Sequence, residues 1–187
     1  MKLYSFLSLL LFLPFLLKST ADELSVGDKV PDFQAKDDQG DTWKLSKYLG
    51  EKNIVVYFYP AAMTGGCTKQ ACAYRDYQSN LTDVDALVVG ISGDEVKNLD
   101  LFKQAHNLNF TLLSDPDGSI AKKFGVPLRD GGSIVRNIAG EDFTLNRGVT
   151  SNRWTFVINK DGKVIYKDSN VNPEEDAKNV IAAIKND

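Results

Sequence analysis

The chain predicts an α/β protein, a three-layer sandwich with a mixed central sheet between helices. Three observations carry this. Apolar, β-branched runs of strand length alternate with helix-compatible stretches along much of the chain. A late segment, WTFVINKDGKVIYKD from Trp154 to Asp168, reads as a β-hairpin. A capped helix ends the sequence. Alternating strands and helices give parallel pairing and the late hairpin adds antiparallel strands, so the sheet is mixed.

The opening MKLYSFLSLLLFLPFLLKSTA has the form of a secretory signal peptide. Lys2 supplies the positive start, Leu3 to Leu17 the apolar stretch, and Ser19, Thr20 and Ala21 the small residues for cleavage. A membrane anchor would need about 20 apolar residues, and Pro14 and Lys18 interrupt this run. The expectation is a signal peptide over 1–21 and one domain over 22–187, exported to a periplasm or the medium. Removing 1–21 leaves 20 basic against 25 acidic side chains, a charge of −5. An acidic chain without a basic run does not suit nucleic acid or a membrane surface.

After an acidic connector to Val30, NIVVYFY (Asn53 to Tyr59) reads as a buried strand ended by Pro60, and ALVVGIS (Ala86 to Ser92) as a second. Ser92 and Glu95 have the spacing of a capping box, opening a helix to His106. A short strand around Leu113 leads into the turn DPDG (Asp115 to Gly118), then a helix over Ser119 to Phe124. Residues 127–152, rich in Gly, Arg and Asn, show no period and read as a long loop or a small hairpin. Asn172-Pro173-Glu174-Glu175 caps the terminal helix.

The chemistry gathers in FYPAAMTGGCTKQAC, residues 58–72, which holds both cysteines of the chain. With 43% apolar residues the core is of normal size, and no disulfide is needed to staple it. With Thr64 as N-cap, Cys67 falls in the first helical turn, where free N–H groups and the macrodipole favour a thiolate. Cys72 lies about 140° around and about 7.5 Å along a continuous helix. A disulfide needs Cα atoms within about 7 Å, so the pair bonds only if the helix start unwinds, which Gly65 and Gly66 ease. The geometry favours a switch over a permanent bridge. Two chemistries use such a pair: peroxide reduction through a sulfenic acid, and thiol–disulfide exchange.

The run Tyr57-Phe58-Tyr59-Pro60, then Thr64, then Cys67-Thr68-Lys69 with Cys72 five residues on, resembles the peroxiredoxin family in its bacterioferritin-comigratory or Q-type branch. DKVPDFQAKDDQG, FKQAHNLNFTLLSDPDGSIAKKFGV and RWTFVINKDGKV resemble its opening, middle and late Arg-bearing strand. The resemblance implies a thioredoxin-like fold, a thiol-dependent peroxidase acting on hydrogen peroxide and organic hydroperoxides, and no metal or organic cofactor. It implies Cys67 as peroxidatic and Cys72 as resolving cysteine, Thr64 and Arg153 as peroxide-binding groups with Gly66 beside them, and Pro60 as a shield of the sulfur. A thioredoxin-like dithiol or small thiol would recycle the disulfide, and a bond closed within one helix fits a monomer without stable membrane association after cleavage. Two positions depart from the family's habit: Gly65 stands where Pro is frequent, implying a looser loop, and Gln70 where Glu is frequent. A Gln70 amide can bind Arg153 without an ion pair.

Two other functions compete. An exported thiol–disulfide oxidoreductase would be expected to carry C-x-x-C. A copper-handling thioredoxin-like protein would use two cysteines and a histidine, but the only histidine, His106, suits a helix C-terminus capping carbonyls. Tyr57, Phe58, Tyr59 and Trp154 read as sheet packing, and Asp115 and Asp117 as a turn.

Overall fold

The computed structural model describes residues 23–138 and 140–187; the expected signal peptide of 1–21 lies outside them. Seven strands form one mixed sheet: β1 (Gln34–Asp37), β2 (Thr42–Lys44), β3 (Asn53–Phe58), β4 (Ala86–Ser92), β5 (Thr111–Ser114), β8 (Trp154–Ile158) and β9 (Val164–Asp168). Their order is β2-β1-β5-β4-β3-β8-β9. β3, β4 and β5 run parallel, while β1, β8 and β9 pair antiparallel. β6 (Leu128–Ile138) and β7 (Glu141–Ser151) form a separate two-stranded ribbon. The helices are α1 (Gly65–Asp76), α2 (Gln78–Asp83), α3 (Val96–His106), α4 (Ser119–Lys123) and α5 (Asp176–Lys185).

The alternation along β3 builds the layers. Val55 and Tyr57 face one cluster, with Cys67, Ala71 and Tyr74 of α1, Leu99 and Phe102 of α3, and Ala177 and Val180 of α5. Ile54, Val56 and Phe58 face the other, with Trp43, Leu45, Phe124 and Phe156. Every one of these side chains is buried, and about 25 cal/mol per Å² of apolar surface removed from water drives the packing. The expected mixed sheet with flanking helices is present.

Several local expectations hold. The Asn159 carboxamide accepts from the N–H groups of Asp161 and Lys163, and Gly162 takes φ 79°, closing the β8–β9 hairpin. In DPDG the Asp115 carboxylate takes the Ile120 and Ala121 N–H groups that open α4. The terminal helix departs from expectation: Asn172 Oδ1 accepts from Glu174 N–H in a turn over Pro173 to Glu175, and α5 opens only at Asp176, with Glu175 at its N-cap and no side-chain cap.

Others need correction. Ser92 and Glu95 form no capping box: Ser92 ends β4 opposite Ser114 and its hydroxyl donates to Asp94, while α3 opens at Val96 without a side-chain cap. The His106 ring packs edge-on against Phe102, 5.3 Å between centroids, and its carbonyl accepts from Arg75. Residues 127–152 form a ribbon with eleven residues in each strand, not a small hairpin. Its less exposed face carries Leu128, Ile134, Ile138, Phe143, Leu145 and Val149, of which Leu145 is buried; Asp130, Gly132, Arg136 and Arg147 interrupt that face and blur the period of two that marks a half-buried strand.

Candidate active site

β3 ends at the centre of the sheet, and the chain crosses Tyr59 to Thr64 before entering α1. Thr64 is at the N-cap in extended conformation, as expected, but its hydroxyl does not cap the helix; it donates to the Ala61 carbonyl at 2.9 Å. Cys67 follows as the third helical residue and is 1% exposed. Cys72 is half-buried on the same unbroken helix, and both thiols are free. The wound helix therefore holds the cysteines unbonded, as its geometry requires.

β8 lies antiparallel beside β3 with Trp154 opposite Phe58, so Arg153 emerges where the chain turns toward α1. Its Nη2 sits 3.3 Å from Cys67 Sγ, and its Nη1 donates to Gln70 Oε1. A cation at that distance favours a thiolate over a thiol. Gly66 leaves room for the approach: a Cβ there would crowd Arg153 Nη2 at 3.3 Å and touch the Pro173 ring at 3.9 Å. Beyond Gly66 a shallow depression of about 410 Å³ opens to solvent, lined by Gly65, Gly66, Lys69, Asn172, Pro173 and Glu174.

Gln70 is fully buried, and its Nε2 donates to Asp176 Oδ2 at 2.7 Å. The same oxygen accepts from Tyr74 Oη at 2.6 Å and Thr155 Oγ1 at 2.8 Å, while Oδ1 is buried without a partner. Burial pushes the Asp176 carboxyl above the usual carboxylate range, against the pull of the three donors. Burial and the Asp176 charge push the Tyr74 hydroxyl well above its usual range, so it stays a donor.

The loop before α1 is held from several sides. Tyr59 N–H donates to Ile91 and its carbonyl accepts from Ser151 Oγ. Ala62 N–H donates to Asp94, whose carboxyl burial raises. Met63 adopts φ 60°, rare for a non-glycine residue, and its carbonyl accepts from Arg136 Nε of the β6–β7 ribbon at 2.9 Å. Half-buried Pro60 ends the strand.

The structure thus gathers Cys67, Gln70 and Gly66 around the Arg153 guanidinium, with Thr64 and Pro60 on the adjoining loop and Cys72 farther along α1. Sequence reasoning missed Asp176, Tyr74 and Thr155 behind Gln70, and Asp94 and Arg136 on the loop. Among the described residues no group of three or more His, Cys, Asp and Glu side chains could hold a metal ion.

The AhpC/TSA family model matches residues 26–167. Peroxiredoxin Bcp of Bacillus subtilis is 39% identical over 142 residues, 76% of this chain and 83% of its own length. A putative peroxiredoxin bcp of Coxiella burnetii is 38% identical over 141 residues, 75% of this chain and 85% of its own. Among solved structures, peroxidoxin BcpB from Mycobacterium tuberculosis superposes with a TM-score of 0.73 at 35% identity, covering 88% of this chain and 98% of that one. A Xanthomonas campestris bacterioferritin comigratory protein, studied for alkyl peroxide reduction, superposes with a TM-score of 0.67 at 26% identity, covering 82% and 90%.

Proposed function

Because the chain belongs to the AhpC/TSA family, as a peroxiredoxin of the Bcp and peroxiredoxin Q kind, we propose that Cys67 reduces the hydroperoxide and Cys72 resolves the product. The observation that carries this is Arg153 Nη2 at 3.3 Å from the sulfur of a cysteine in the first turn of α1. A peroxiredoxin takes a hydroperoxide as substrate and a thioredoxin-type reductant.

The Cys67 thiolate attacks one oxygen of the hydroperoxide, the O–O bond breaks, and the departing oxygen leaves as an alcohol or water once it takes a proton. Sulfur is oxidised to a sulfenic acid. The Arg153 fork offers N–H donors to the charge growing on oxygen. The Thr64 hydroxyl hydrogen is committed to the Ala61 carbonyl, so its lone pairs are the part available to accept from the peroxide hydroxyl. Pro60 and the loop keep water from the buried sulfur. The first turn of α1 then unwinds, Cys72 attacks the sulfenic sulfur, water leaves, and the disulfide forms. A thioredoxin-like dithiol or a small thiol reduces it.

Because this disulfide closes within one helix, a monomer is sufficient. The residues of the leader support export, with the mature chain starting at Asp22 in a periplasm or the medium. N-terminal sequencing of protein recovered outside the cytoplasm tests that part; an N-terminus at Met1 refutes it.

Intact mass and thiol count tests the chemistry, before and within seconds of one equivalent of hydrogen peroxide. Both thiols should vanish, with a mass loss of about two hydrogens, the signature of a disulfide made through sulfenic acid. In Cys72→Ser the product should be a sulfenic acid on Cys67 that overoxidises. Survival of both thiols in the parent would overturn the assignment of Cys67.

A further inference from the structure

We infer that Asp176, which touches neither sulfur nor peroxide, is a positioning residue for the peroxide step: it fixes the direction of the Gln70 amide and thereby the orientation of Arg153 over Cys67. The inference rests on Cys67 being the peroxide-reacting thiol.

The chemistry of the partners allows one polarity. Arginine only donates hydrogen bonds, an ionised carboxylate only accepts them, and a primary amide has one end of each kind. Gln70 lies between Arg153 and Asp176, fully buried, with each end of its amide on one of them. The carboxylate takes the amide NH₂, so the carbonyl must face the guanidinium, and Nη1 is held there. With Nη1 held and the group planar, Nη2 stays on the sulfur. Tyr74 and Thr155 both donate to the same carboxylate oxygen, so three donors from α1 and β8 hold the Asp176 carboxylate in place. The donors belong to α1, which carries Cys67, and to β8, which Arg153 directly precedes, and α5 supplies the acceptor that ties them. Without an acceptor at position 176, Gln70 could turn its NH₂ toward Arg153, where two donors would face each other and the fork would swing from sulfur.

A buried carboxylate here is otherwise a cost, since burial of a charge must be offset by donors. Its contribution to the peroxide step is the amide direction it imposes, not its charge. A reaction that uses the Arg153 donors and one that does not tell the two apart.

The test uses the reduced full mature protein and two single-turnover reactions of Cys67, with hydrogen peroxide and with iodoacetamide. Peroxide cleavage uses the Arg153 donors; alkylation needs the thiolate but no donor to oxygen. Asp176→Leu removes the acceptor at similar size, so nothing fixes the Gln70 amide. The expected result is a loss of about 10- to 100-fold with peroxide, the scale of a misplaced reacting group, with the iodoacetamide rate unchanged or raised. Gln70→Glu in the Asp176→Leu background puts an acceptor back against Arg153 and should restore most of the peroxide rate. Equal peroxide rates in Asp176→Leu and the parent would overturn the inference, as would a parallel fall in both reactions or absence of rescue in the folded double variant. If Asp176→Leu does not fold, Gln70→Leu decides: it breaks the chain of bonds at its middle while leaving Asp176 with Tyr74 and Thr155, and a parent-like ratio of the two rates would overturn the inference. Failure of the parent itself to react with peroxide would instead refute the role of Cys67.

Discussion

Arg153 Nη2 and Cys67 Sγ lie 3.3 Å apart although 86 residues separate them in the chain. The contact exists because β8 runs back along β3, and glycine at position 66 leaves the guanidinium room. Arg153 uses both arms of its fork, one on Gln70 and one on sulfur. A lysine has one ammonium on a flexible stem and cannot hold both directions. Arg153→Lys is expected to lose about 100-fold in the second-order rate with hydrogen peroxide, the scale of losing one donor to a developing oxyanion. Stopped-flow mixing of the reduced variant with peroxide measures it; retention of the parent rate would remove the fork from the mechanism.

Gly65 and Gly66 should answer alanine substitution differently. Nothing lies within 4 Å of a Cβ at Gly65, so Gly65→Ala adds only helix propensity, up to about 1 kcal/mol for the wound form. The peroxide step should be unchanged and disulfide formation slower. At Gly66 the new methyl meets the guanidinium at 3.3 Å, and Gln70 restrains its retreat. Gly66→Ala should slow the peroxide step. Thiol loss and mass change followed in the same time course separate the two steps; identical kinetics in both variants would contradict this assignment.

Much of this site was legible because its residues are close in sequence or marked by a helix start. Cys67, Gln70, Ala71 and Tyr74 are spaced as one helical face, and that face is the buried one. Asp176 escaped notice because an acid in a first helical turn reads as a dipole partner facing water. Its spacing carried the missing signal: Asp176, Ala177, Val180 and Ile181 share one stripe, and all four are buried. The strands of the sheet were visible in their apolar runs, whereas the apolar face of β6 and β7 is interrupted by Asp130, Gly132, Arg136 and Arg147. Ser92 misled because its spacing from Glu95 matches a cap, while strand pairing with Ser114 and a bond to Asp94 claimed it.

The Asp176 carboxyl also gives a stability signature. Burial raises its folded-state value above the ordinary 3.8. The protonated form is thus favoured by the fold, and below 3.8 neither state pays for ionisation. As pH rises from 3.8 through the raised value, the unfolded chain ionises first and the native state loses stability from this group. Asn cannot ionise. The difference in melting temperature, Asp176→Asn minus parent, should therefore grow more positive as pH rises through that window, whatever its absolute offset. Melting curves at a series of pH values test this, and a difference that falls with pH would mean the carboxyl is held below its ordinary range.

The β6–β7 ribbon reaches the active-site loop at two points, Ser151 Oγ on the Tyr59 carbonyl and the charged bond from Arg136 Nε to the Met63 carbonyl, and the second is nearer the helix start. Met63 is in the left-handed region at φ 60° and directly precedes the N-cap Thr64, so the bond holds a conformation that the backbone alone disfavours. Unwinding the first turn breaks the Thr68 N–H to Thr64 carbonyl bond and must carry this loop with it. A part-buried bond to a charged donor contributes about 1 kcal/mol or somewhat more. Arg136→Gln should therefore release the loop and speed disulfide formation about fivefold, the rate equivalent of that energy, while the peroxide step stays near the parent. Gly65→Ala acts on the same equilibrium in the opposite direction. The double variant Gly65→Ala/Arg136→Gln should resolve at close to the parent rate, provided the two sites do not couple. Slower resolution in Arg136→Gln would show that the ribbon aids unwinding and does not restrain it.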